Sequence, residues 1–123
     1  MLPSVLKIEK IEDHPNADHL QIIYFEDSLG CVEKNKFKIG DLAIYIPKGY
    51  VIPKEIVEKY DIKYLKGQNK NVIKNIKIRG IKFDGIVIPN IENLVQGEDV
   101  TSLFKLKKYN VEKKKEDIFI INF

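Results

Sequence analysis

Two short stretches hold the residue types from which chemistry could be built, and the first is HPNADHL. It gathers both histidines of the chain, His14 and His19, with Asp18 between them, Asp13 just before and Cys31 further on. These are zinc-ligand types, but their spacing fits no closed structural site and only one thiol is available. A catalytic histidine would need a nucleophile and an orienting partner, and neither is identifiable. The reading we favour is a corner of the fold. Pro15 fixes φ, and the side chains of Asn16 and Asp18 can accept backbone N–H bonds that a tight turn leaves open. His14, Pro15, Asn16 and Asp18 are therefore expected to be structural, with neither metal nor cofactor.

The second stretch is KFDG, Lys82 to Gly85. Alone it matches the KxDG element with which covalent nucleotidyltransferases attack a nucleotide's α-phosphate. Those enzymes place carboxylates and phosphate-binding lysines far downstream, whereas only 38 residues follow Gly85 here. Lys82 also lies in an alternating strand pattern, so a strand lysine followed by a turn is the better account. No adenylation at Lys82 is expected.

Charge points to binding instead. The net charge of +3 hides an asymmetry: residues 1–61 carry eight Lys and eleven acids, residues 62–123 thirteen Lys and Arg and seven acids. No acid falls between Asp61 and Asp84, yet Lys63, Lys66, Lys70, Lys74, Lys77, Arg79 and Lys82 do. A local positive field of this kind suits a polyanion, of which nucleic acid is the commonest. Lys34, Lys36 and Lys38 form a second basic cluster around Phe37.

The elements that must position these residues are short strands. At 123 residues, 44% of them apolar, the chain has material for one packed core. VLKIEKIE over residues 5–12 reads as a first strand, ended by HPNA. LQIIYF over 20–25, a short strand around Cys31 and Val32, and LAIYIP over 42–47 follow. VIPKEIVEKY over 51–60 predicts a short helix with Pro53 in its first turn. NIKIRGIKFDGIVIP alternates, with Ile76 and Ile78 on one side and Lys77 and Arg79 on the other. Its phase switches at Gly80, which suggests a bulge or sharp bend. NLVQGEDVTSLF reads as a loop with a helical turn. About five strands, one helix and no βαβ rhythm predict a small all-β, five-stranded Greek-key barrel of the oligonucleotide-binding (OB) kind over residues 1–109. Residues 110–123 read as a charged connector or tail.

These motifs also occur together in a known family. HPNADHL, then FKIGDLAIYIP, VIP and KIRGIKFDGIVIP, with GEDVT at 97–101 and LKKY at 106–109, resemble the N-terminal OB-fold module of an ATP-dependent RNA ligase family, the Deinococcus type. The tRNA-binding domain of some aminoacyl-tRNA synthetases is a looser relative. The chain departs from the ligase pattern at Phe83-Asp84, where the family has Ser-Gln. No RNA contact is carried over to that position.

The resemblance implies an RNA-binding module, accessory to a nucleotidyltransferase domain and not itself an enzyme. Its RNA would be single-stranded, tRNA or a nicked duplex. An OB barrel tracks a strand with a basic groove and stacks bases on exposed rings. Lys77, Arg79, Lys82, Lys70 and Lys74 are the expected phosphate contacts, with Lys34 and Lys36 in the second cluster. Phe37, Tyr45, Tyr50 and Tyr64 are the possible platforms, with core packing the competing reading for each and the favoured one for Phe37 and Tyr45. The alternatives are a tRNA-binding-type domain acting with a synthetase, and a protein-interaction module. The lone Cys31, the lack of a leader pattern and the lack of a bilayer-length apolar run lead us to expect a cytoplasmic protein.

Overall fold

The structure, a computed structural model, describes residues 2–62, 72–73 and 76–108. Its strands are β1 (Ser4–Lys7), β2 (Lys10–Asp13), β3 (Leu20–Tyr24), β4 (Leu29–Glu33), β5 (Leu42–Pro47) and β6 (Tyr50–Val51). The helix α1 (Lys54–Lys59) follows, then β7 (Ile76–Ile78), β8 (Ile81–Phe83), β9 (Gly85–Pro89) and β10 (Lys107–Lys108). Two three-stranded antiparallel sheets, β1-β5-β9 and β2-β3-β4, are joined by the pairs β7-β8 and β6-β10.

The strand expected over residues 5–12 changes partner in its middle. Val5 faces Ile44 of β5, whereas Ile11 faces Ile23 of β3. Between them Ile8 N–H donates to Asp41 O at 2.9 Å and Glu9 N–H to Tyr24 O at 2.8 Å. One extended segment thus serves both sheets, with Ile8 fully buried at the switch. No glycine or proline marks the bend, so composition gave no sign of it. β5 is covered on both faces from Ala43 to Ile46, which is why LAIYIP is a continuous apolar run.

Helix α1 is one turn and a half, seating Val57 in the core. Pro53 caps it from outside (φ −58°, ψ 147°), one position before the first turn in which the sequence had placed it. The phase switch at Gly80 proves to be a hairpin turn. Ile78 pairs with Ile81, so only Arg79 and Gly80 connect β7 to β8. Both take positive φ, 49° and 89°, the type I′ geometry whose twist suits a two-residue hairpin. Glycine accepts that conformation freely; arginine does so at a cost.

The hairpin is two-sided. Ile78, Ile81 and Phe83 pack on Ile22 and Cys31 of the β2-β3-β4 sheet, with Phe83 1% exposed. Lys77 and Lys82, directly opposite each other, face the other way and are exposed. A larger core of Val5, Ile44, Ile46, Ile52, Val57, Ile73, Ile86, Ile88, Val100 and Phe104 fills the space beneath β5, β9 and α1. Cys31 sits in the apolar seat under the hairpin, and burial pushes its thiol up to about 11.

Candidate nucleic-acid interface

The HPNADHL corner reaches further than a corner needs to. His14 is the one buried polar or charged side chain among the described residues, at 4% exposure. Its Nδ1 accepts the Asn16 backbone N–H at 3.0 Å, and its Nε2 lies 3.0 Å from Ile78 O. A backbone N–H can only donate and a carbonyl only accept, so the ring carries its proton on Nε2. Asn16 Nδ2 donates to Arg79 O at 2.9 Å. Two side chains from the first corner thereby hold the two carbonyls that flank the entry to the Arg79–Gly80 turn.

The sequence reading assigned the corner's hydrogen bonds differently. Asn16 was expected to accept a local N–H, but it donates across to the hairpin. Asp18 is exposed and has no hydrogen bond among the described residues. The acceptor role falls to His14 Nδ1, because the ring is buried directly over the turn and the short carboxylate points to water. Pro15 is exposed at the outside of the bend. Among the described residues, no three His, Cys, Asp or Glu gather as a metal site.

Clamped in this way, the hairpin presents three cations. Lys77 and Lys82 are cross-strand neighbours, and Arg79 stands at the tip beside Asn16 and Asp18. None of the three has an acidic partner among the described residues. Like charges directly opposite on a sheet repel, so this pairing adds nothing to the stability of the hairpin.

The second basic cluster is different. Lys34 Nζ lies 3.6 Å from Asp13 and Lys36 Nζ 3.8 Å from Glu33, all at the surface. Lys38 is exposed in a turn closed by its own N–H on Asp41 Oδ2. Lys70, Lys74 and Tyr64 lie outside the described residues.

Of the aromatic platforms, Phe37 is half-buried against the core at the mouth of a cleft of about 330 Å³. Tyr45 is 2% exposed, its ring edge-on to Phe25 at 5.7 Å, and Tyr50 is 5% exposed. Neither tyrosine offers a face to a base, because both alternate inward from strands that line the core. The sequence reading missed Lys48 and Lys108, which converge with Lys82 on one cleft. Lys108 was visible only as part of LKKY, and nothing distinguished Lys48.

No helix among the described residues is long and apolar enough to cross a membrane. The fold compares closely with solved RNA ligases of Naegleria gruberi. The form with ATP and Mn matches at a TM-score of 0.76 and 18% identity, over 89% of this chain and 35% of that one. The form with PPi matches at 0.74 and 20% identity, with the same shares covered. At such identities the likeness is one of fold, and this chain spans about a third of those ligases' length. Comparison with curated proteins gives no match. An OB-fold domain family profile matches residues 2–91. Built of strands with a single short helix among the described residues, and matched over most of its length, the chain belongs to the OB-fold domain family.

Proposed function

We propose that this OB-fold domain binds RNA through the phosphate backbone and serves as the non-catalytic module of an RNA ligase-like protein. The observation that carries the reading is the β7–β8 hairpin. It sets Lys77 opposite Lys82, with Arg79 at a clamped tip and no acid pairing any of them among the described residues. An anchored hairpin presents its cations to phosphates without first ordering the backbone, which lowers the cost of binding. RNA is favoured over DNA by the likeness of the fold to RNA ligases and by the resemblance of HPNADHL and KIRG to the motifs of the ligase family. Phe37, at the edge of its cleft, is the platform for a base that remains among the described residues. Residues 1–109 are taken as the module, with residues 110–123 as a connector toward a catalytic partner.

Fluorescence anisotropy with single-stranded RNA, duplex RNA and tRNA at two salt concentrations tests this. Binding should weaken steeply with salt, and the slope should fall by about one for each phosphate-contacting lysine or arginine removed. Absence of binding to all three at low salt would overturn it. Incubation with ATP and magnesium should leave Lys82 unmodified, and adenylation there would overturn the non-catalytic assignment.

A further inference from the structure

Tyr45 offers no face to a base, yet the side chain reaches a surface cleft. The ring is buried and packed on Phe25, and among the described residues no hydrogen bond holds the phenol. It ends instead at a cleft of about 400 Å³ between the 27–29 turn, the 47–50 turn, β8 and β10. Residue 85 permits this. A Cβ on Gly85 would lie 2.5 Å from both Cζ and Oη of Tyr45, so any other residue there would displace the phenol. Ser28, whose hydroxyl is also without a partner, lines the same cleft.

The rim is charged. Lys48, Lys82 and Lys108 line it together with Asp27 and Asp84. Lys48 lies 3.8 Å from Asp84, which leaves Lys82 and Lys108 against the single carboxylate of Asp27. Burial, with the Asp84 charge adding to it, pushes the Tyr45 hydroxyl up to about 12, so it keeps its proton and can donate. A phenol donor that opens on a small cleft with surplus positive charge favours an anionic acceptor. Two free ammonium groups argue against a metal cation.

We infer that this cleft is a phosphate subsite for the RNA strand, in which Tyr45 Oη donates to a phosphate oxygen and Lys82 and Lys108 balance its charge. The inference rests on the RNA-binding reading above and extends it. Lys82 belongs to both the hairpin and the cleft, so the strand would run from Arg79 past Lys77 and Lys82 into the subsite.

Tyr45→Phe is the decisive variant, because it deletes one oxygen and keeps the packed ring. With a single-stranded RNA probe, affinity should fall about five- to tenfold, the worth of one hydrogen bond to a charged group. The salt slope should stay unchanged, since the lost donor is uncharged, and thermal stability should hold because the packed ring is kept. Lys108→Ala, at an exposed position that cannot disturb the core, should lower the salt slope by about one. Wild-type affinity in Tyr45→Phe together with an unchanged slope in Lys108→Ala would overturn the subsite. If Lys77→Ala and Arg79→Ala still weaken binding in that case, the hairpin reading survives on its own. Failure of the wild-type chain to bind any RNA would remove both.

Discussion

Two basic clusters look equivalent along the chain, Lys34–Lys38 and Lys77–Lys82, and the fold treats them in opposite ways. In the first, Lys34 meets Asp13 and Lys36 meets Glu33 across a surface turn. In the second, the cations stand together on one face of a hairpin whose other face is bolted to the core. The difference teaches that a field depends on which acids the topology brings near, not on lysines counted along the chain. Asp13 is distant from Lys34 in sequence but adjacent in space, because β2 and β4 flank β3.

This contrast can be broken most forcefully at the hairpin's seat. Phe83→Ala should cost about 3–5 kcal/mol of stability, measured by urea denaturation, and should scatter the cations along with the hairpin. His14→Ala is next. It strands the Asn16 N–H and the Ile78 carbonyl, at about 2–4 kcal/mol, and an accompanying loss of RNA affinity would show that the clamp matters for binding. At the level of single charges, Arg79→Ala should lower the salt slope of RNA binding by about one, while Lys34→Ala and Lys36→Ala should leave it nearly unchanged. The reverse result would invert the comparison. Converting the quiet cluster into an active one is subtler. Asp13→Asn with Glu33→Gln releases both lysines and should raise RNA affinity by a few-fold at low salt, an effect that disappears at high salt.

The smallest effect concerns the seat itself. Because the buried Cys31 thiol titrates near 11 and an unfolded one near 9, the folded protein should resist alkylation at pH 8 and react only after unfolding. The same shift means that the contribution of Cys31 to stability is complete below pH 9 and lost as pH rises toward 11.

Much of this was legible in the sequence. The strands around Ile22, Ile44 and Ile86, the helix at Ile56 and Val57 and the corner at Pro15 all followed from period, β-branched content and turn residues. The alternation of KIRGIKF also placed Lys77 correctly on the outward face. What could not be read were the consequences of distant residues meeting. Nothing local shows that β1 hands over to β2 at Ile8, that Asn16 finds Arg79, or that Tyr45 points inward. Alternation says which residues share a face, but only the assembled sheets decide which face is covered.

The clamp on the hairpin has one more consequence, for the order in which the molecule forms. Its two hydrogen bonds join residues 64 and 63 positions apart. Contacts of such sequence separation wait for the chain between them to be ordered, since loop closure must precede any gain from the contact. The corner itself closes over a few residues, with His14 N–H on Leu20 O at 3.0 Å, and can form early. The β7–β8 hairpin is equally local, so what should form late is the clamp that fixes its tip. On the proposed reading, a newly made chain would complete its phosphate-binding surface as one of the last acts of folding, and a partly folded one would carry the same lysines without the clamp.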